Sequence, residues 1–178
     1  MTTSPSRTPA PPRTVLPDGA AAFIAEAERL TNAYDAAGAA RVYAADASLE
    51  LVTDGAVAWH HGRDAVERAW QVVLGAGRGR GLRVTKSLVA VSPTTVVNRW
   101  EGTFGGGGAC RGIESWTFGD EGLVVEHRAE TFLVVRPAES WRARIRALVL
   151  APRVALAFVR AERRAGRAGR AGRDGGAR

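Results

Sequence analysis

Between residues 82 and 135 the sequence holds four extended runs and almost nothing else: LRVTKSLVAV, TTVVNRWEGTF, CRGIESWTF and LVVEHRAETFLVV. Each is rich in β-branched and aromatic residues, and each is bounded by turn formers: Ser92 and Pro93, then Gly105 to Gly108, then Gly119 to Gly122. Connections this short cannot carry a crossover, so the runs must pair antiparallel as a meander. A sheet of that kind has one face to bury, and the cover must come from the residues upstream.

Those residues supply helices. Asp18 precedes GAAAFIAEAERLTNAYDAAG, where Phe23, Ala27, Leu30, Ala33, Tyr34 and Ala37 recur at helical spacing, with Gly38 as the expected stop. A short second helix is expected over Ala39 to Tyr43, a turn at Asp46 and Ser48, and an extended segment from Leu49 to Val52. After Thr53, Asp54 and Gly55, AVAWHH reads as a second strand. GRDAVERAWQVVLG then reads as a third helix with Val66, Trp70 and Val73 on one face, ended by Gly75 to Gly81. The expected order is helix, helix, strand, strand, helix, four strands, an α+β fold. The glycines at 105 to 108 lie between strands and read as a hairpin turn, not a phosphate cradle.

The 178 residues, 46% hydrophobic, suffice for one core, and the expected organisation is a single folded domain at 19–135 with tails. Residues 1–18 have no apolar stretch of signal-peptide length and read as a disordered leader, so a cytoplasmic protein is expected. The formal charge of +7 is uneven. From residue 136 onward lie 12 of the 25 basic and 3 of the 18 acidic residues, so the first 135 carry 13 basic and 15 acidic groups. The basic character therefore belongs to the C-terminus. Cys110 alone cannot form an internal disulfide and reads as a small buried hydrophobe.

Three stretches, YAADASLEL, HGRDAVERAW and GIESWTFGDEGLVVEHR, together with the element order, make the chain resemble SnoaL-like proteins of the nuclear-transport-factor-2-like superfamily, relatives of ketosteroid isomerases and polyketide cyclases. The resemblance covers residues 20 to 135. It implies a cone: a strongly curved, mostly antiparallel sheet packed on three N-terminal helices, with an apolar pocket at one end, an apolar small molecule as ligand, and homodimerisation. It puts Glu114 where the isomerases keep a protonated carboxylic acid, and His127 where the cyclases have a histidine followed by tryptophan and aspartate. The isomerases' basic aspartate and oxyanion tyrosine correspond to Leu51 and Thr31, and the cyclases' tryptophan-aspartate to Arg128 and Ala129. An aspartate–arginine–aspartate epoxide-hydrolase set also lacks its last carboxylate, near Ala129. The resemblance thus implies the fold and a small-molecule site of isomerase, cyclase or hydrolase type, without the family's best-known catalytic sets.

The residues themselves suggest a site. Alternation groups Gly112, Glu114, Trp116 and Phe118 on one face of their strand, and Val125, His127, Ala129 and Thr131 on one face of the next. An acid among apolar neighbours is desolvated, which raises its pKa toward neutrality; an imidazole on the adjacent strand titrates in the same range. Glu114 and His127 are therefore the candidate acid–base pair, against the alternative that Glu114 bonds His127 or Arg99 and only holds the sheet together. Asn98, Trp100, Trp116, Thr131, Tyr34 and Trp59 are candidate ligand contacts; for Trp100, Tyr34 and Trp59, core packing is the competing role. His60 and His61 lack a third metal ligand at recognisable spacing, so neither a metal nor a cofactor is expected.

Residues 136–164 read as a basic, amphipathic helical extension broken at Pro152, and 165–178 as a disordered Arg/Gly/Ala tail. The apolar run is too short and too interrupted to span a membrane. With Trp141, Leu148, Leu150, Leu156 and Phe158 beside arginines, residues 141–164 suit an anionic membrane surface or a protein contact. No specific nucleic acid is expected, since arginine without interleaved aromatics gives phosphate attraction without base readout.

Overall fold

The computed structural model describes residues 17–135, 140–158, 160 and 161; of the expected leader only residues 17 and 18 fall within that range, and the expected tail at 165–178 lies outside it, as do residues 136–139, 159 and 162–164 of the extension. The described residues fall into two units, divided between Val135 and Arg136. The first is built in the order α1 (Pro17–Ala33), α2 (Ala36–Ala40), β1 (Tyr43–Thr53), β2 (Ala56–His61), α3 (Arg63–Gly79), β3 (Arg83–Val91), β4 (Thr95–Thr103), β5 (Ala109–Phe118) and β6 (Val124–Phe132). This is the order expected from the sequence.

The helix boundaries differ from expectation for local reasons. α1 stops at Ala33, because Tyr34 takes a left-handed φ of 57° and Asp35 starts a new helix, its side chain accepting from the Gly38 N–H. The second helix therefore ends at Ala40, and Tyr43 opens β1. Asp46 and Ser48 lie within that strand instead of in a turn, where a register shift between Tyr43 and Ser48 absorbs the irregularity. α3 runs on to Gly79 and buries Val66, Ala69, Trp70, Leu74 and Gly77, while Val73 is 38% exposed.

The sheet order is β2-β1-β6-β5-β4-β3. β3 to β6 form the antiparallel meander, and β1 joins it through a parallel pairing with β6, with Leu49 opposite His127. α1 packs on β3, and α3 packs on β1 and α2, so the helices cover one face. The core between them contains Ile24, Tyr43, Leu49, Val66, Trp70, Val96 and Trp116. A smaller cluster of Val84, Trp100 and Cys110, with Leu82 and Phe104 against it, fills the β3–β4–β5 end. Gly112 belongs to this packing: a Cβ there would run into the carbonyl of Glu130 and lie 2.5 Å from the Trp100 indole nitrogen.

Several hydrogen bonds pin the C-terminal part of α1 to β3. Asn32 donates to the Val84 carbonyl and accepts from the Val84 N–H, each at 2.9 Å. Tyr34 Oη donates to the Leu82 carbonyl, and Glu28 accepts from the Lys86 N–H. The N-terminal part is held by packing instead, with Phe23 edge-on to Trp116 and Phe118 at 5.1 Å.

In the second unit, α4 spans Trp141–Leu150, and residues 152–158 are also helical after the break before Pro152. Trp141, Ile145, Leu148 and Val149 recur on one face of α4, and all are exposed. No described helix is long and apolar enough to cross a membrane.

Candidate functional site

Strand alternation aims a row of polar side chains at the helices. On β4 and β5 the buried sets are Val96, Asn98, Trp100 and Cys110, Gly112, Glu114, Trp116, as the pattern in the sequence implies. On β6 the inward residues are Val124, His127 and Ala129. Val125 is 37% exposed, because a register shift between Thr117 and Phe118 puts Val124 inward in its place.

Asn98, Glu114 and His127 are the buried polar side chains of this core, at 0%, 3% and 0% exposure. Glu114 does not bond His127, nor Arg99, which is exposed. Its cross-strand neighbours are Asn98 and Ala129, whereas His127 lies opposite Trp116. Two donors converge on Glu114 Oε2: Lys86 Nζ at 2.5 Å and Asn98 Nδ2 at 2.7 Å. Asn98 Oδ1 accepts in turn from Trp116 Nε1 at 2.7 Å. Lys86, on β3, thus reaches over β4 to an acid on β5, and both side chains of the pair are 4% exposed.

The ion pair reverses the pKa expectation for Glu114. Burial, the largest influence, pushes the carboxyl up. Lys86, His127 and the hydrogen bonds from Lys86 and Asn98 together outweigh it and hold Glu114 below its ordinary 4.5. Glu114 is a carboxylate at neutral pH, not a neutral acid.

His127 is neutral for the opposite reason: burial, only partly countered by Glu114, drops its pKa to about 3. Its ring stacks on Trp116 with centroids 3.5 Å apart, and Trp70 lies at 5.8 Å. Trp70 Nε1 can only donate, and it donates to Tyr43 Oη at 3.0 Å; the Tyr43 hydroxyl and His127 Nδ1 share a second hydrogen bond at 2.7 Å. His127 Nε2 has no partner among the described residues. Burial raises the pKa of Tyr43 well above 10 and keeps that hydroxyl protonated.

Beside this network lies a cavity of about 40 Å³ between α1, α2, α3 and the sheet, with Phe23, Leu30, Tyr43, Trp70, Lys86 and Trp116 in its wall. Ligand pockets for drug-sized molecules run to roughly 300–1,000 Å³, so the cavity as it stands has room for little more than water. Lys86 is the cation of this lining, its Nζ 6.0 Å from the centre of the Trp116 ring. A larger hollow of about 540 Å³ opens outside the core between the β1–β2 hairpin and α3, lined by Leu51, Val57, Val72 and Val73 among others.

Of the candidate ligand contacts, Trp116 is in the cavity wall, with Asn98 bonded to its indole N–H. Trp100 packs in the second cluster, where its competing core role applies. Tyr34 ties α1 to β3 and sits under the guanidinium groups of Arg78 and Arg83, away from the cavity. Thr131 is half-buried near the end of β6, its carbonyl accepting from Asp54. Trp59 is 52% exposed on the edge strand β2, stacked on His61, so it is neither core nor pocket rim. Lys86 and Tyr43 were not singled out by the sequence reading. The one sequence signal for Lys86 is its period-2 relation to buried Val84, an inward lysine in a strand that needs a partner.

Comparison with known proteins agrees with this architecture. The model of the SnoaL-like domain family matches residues 18–127, more than half of the chain. Among solved structures, a nuclear-transport-factor-2-like protein of unknown function from Mesorhizobium loti superposes with a TM-score of 0.53 at 20% identity, covering 63% of this chain and 89% of its own. A SnoaL-like protein of unknown function from Burkholderia thailandensis gives 0.52 at 18%, covering 67% and 98%. The epoxide hydrolase/cyclase-like enzyme SalBIII, of pyran ring formation in salinomycin, gives 0.50 at 14%, covering 64% and 91%. No curated protein matches the sequence significantly. The fold is that of the nuclear-transport-factor-2-like proteins, and the chain belongs to the SnoaL-like domain family.

Proposed function

We propose that this domain binds an apolar small molecule carrying a carbonyl or hydroxyl oxygen, and acts on it by proton transfer in the manner of an isomerase or cyclase. The observation that carries the reading is the buried Lys86–Glu114 pair beside an aromatic-walled cavity. Charged groups are costly to bury and persist where they are paired; of this pair Lys86 meets the cavity and offers a ligand a donor, with Glu114 behind it. In this reading Glu114 works with Lys86, and His127 supports the Trp116 wall. SalBIII, of the same fold, is named as an epoxide hydrolase/cyclase-like enzyme, which is consistent with chemistry of this class. The test is twofold. Neutral steroids and aromatic ketones are titrated against the tryptophan fluorescence of the protein, to which Trp70 and Trp116 in the cavity wall contribute; bound ketones are then followed by NMR in D2O for exchange of the hydrogens beside the carbonyl. Saturable binding with exchange that falls in Glu114→Gln supports the proposal; no binding by any member of the panel rejects it.

A noncatalytic binding module is the second reading. It is favoured by the internal use of both candidates, Glu114 held ionised by Lys86 and Asn98, and His127 held neutral by burial. Binding without exchange decides for it.

We further propose that the protein is cytoplasmic and homodimeric, and that residues 141–164 dock on an anionic membrane surface. The exposed apolar face of α4 and the net positive charge from residue 136 onward complement such a surface. Light scattering reads the dimer. Flotation with phosphatidylserine vesicles, compared with a chain ending at Val135, reads the membrane contact, which is lost as an explanation if neither form floats.

A further inference from the structure

We propose that Lys86 Nζ is the group that meets the ligand, and that it selects a neutral carbonyl compound over an anionic one. This rests on the small-molecule reading of the cavity. An ammonium has three N–H donors, and Glu114 Oε2 takes one of them. Lys86 is in the cavity wall, and the faces around it are apolar or aromatic: Phe23, Leu30, Trp70 and Trp116. A ligand larger than water requires the N-terminal part of α1, held by the packing of Phe23 on Trp116 and Phe118, to move off the sheet; its oxygen then finds a charged donor held in place and shielded from bulk water, where its hydrogen bond is strongest.

The choice of a neutral oxygen follows from the charges. The Lys86 charge is already balanced by Glu114 at contact distance. Glu28 receives the Lys86 backbone N–H, while Glu26, at the exposed edge of the cavity wall, is already paired with Arg29. His127 and Tyr43, the other titratable neighbours of the pair, are both uncharged at neutral pH. A carboxylate ligand would add a negative charge to a site where two acids, Glu114 and Glu28, already face the one cation Lys86, and would lose its hydration on entry. A ketone keeps its charge at zero and needs only one donor. Glu114 is then a positioning residue: its carboxylate fixes the end of a flexible four-carbon chain, and Asn98, itself oriented by Trp116, fixes the carboxylate. No covalent step is involved.

The experiment compares three probes of one shape by tryptophan fluorescence: 2-acetylnaphthalene, its hydrocarbon counterpart 2-isopropenylnaphthalene, and 2-naphthoate. The proteins are the full wild-type chain, Lys86→Met, and Lys86→Met/Glu114→Gln, which removes both charges together and guards against a single variant that fails to fold. The wild type is expected to bind the ketone at least about tenfold tighter than either of the others, the range for a hydrogen bond to a charged group. The double variant is expected to bind ketone and hydrocarbon alike. A wild type that binds ketone and hydrocarbon equally, or a double variant that keeps the preference, overturns the role of Lys86 while leaving the cavity a binding site. Naphthoate binding tighter than the ketone overturns the charge argument. If none of the three binds the wild type, the proposal falls together with the small-molecule reading.

Discussion

Removing the Lys86 ammonium should change how stability depends on pH, as well as lowering it. In the wild type the Glu114 carboxyl lies below 4.5, so its contribution is fully present above that value and is lost as the pH falls through the lower folded value. In Lys86→Met the Asn98 bond remains but the opposing charge is gone, and burial, already the largest influence on Glu114, then pushes the carboxyl above 4.5. The sign reverses: in the variant the Glu114 contribution is greatest at low pH and is lost as the pH rises through the raised value. With both side chains only 4% exposed, little solvent screens the charge left behind. Removing one partner of a buried pair costs about 3–5 kcal/mol. Urea unfolding followed by tryptophan fluorescence between pH 5 and 8 reads this directly. The expected result is a loss of about 3 kcal/mol or more at pH 8 that shrinks toward pH 5, and that is largely recovered in Lys86→Met/Glu114→Gln. A loss below about 1 kcal/mol, or one that does not change with pH, refutes the reasoning.

The remaining expectations concern the same core. His127 is neutral with a folded pKa of about 3 against an ordinary 6.5, so its contribution is complete above 6.5 and is lost as the pH falls toward 3. At about 1.4 kcal/mol per pKa unit this amounts to several kcal/mol, and His127→Gln should show a flatter acid limb in the same assay. Tyr43→Phe leaves Trp70 Nε1 and His127 Nδ1 without the hydroxyl they share, at about 1–3 kcal/mol for each buried orphan, and a change in urea midpoint under a few tenths molar would count against the network. Gly112→Ala forces a methyl onto the Trp100 indole and the Glu130 carbonyl; the expected cost is about 1–3 kcal/mol with a shifted near-ultraviolet signal from Trp100, and an unchanged melting temperature would contradict the packing described.

The element order was legible because each segment's pattern is local: glycine-bounded runs for the meander, helical spacing upstream. The inward faces of β4 and β5 were legible by the same alternation. Local pattern fails where a single backbone event intervenes. The left-handed turn at Tyr34 ends α1 early, and a shift in the β5–β6 register exchanges Val124 for Val125. The site was only half legible, for a different reason. Glu114 and His127 stand out as an acid and an imidazole among apolar neighbours, but whether they meet depends on register. Pairing puts His127 opposite Trp116 and sets Glu114 one diagonal away. Lys86 reaches Glu114 across an intervening strand, and no spacing within β3 encodes that. Its presence turns the expected neutral acid into a carboxylate, so one long-range contact decides the chemistry of the cavity wall.

That carboxylate is the point on which the account rests, and it can be observed directly. Side-chain carboxyl 13C NMR on protein labelled at glutamate, with Glu114 assigned from the signal missing in Glu114→Gln, reports its protonation between pH 5 and 9. The expected result is a resonance at the position of an ionised carboxylate that does not move across that range. A Glu114 signal that titrates with a midpoint above pH 6 would mean an acid kept neutral, and would contradict the Lys86–Glu114 ion pair behind the cavity wall.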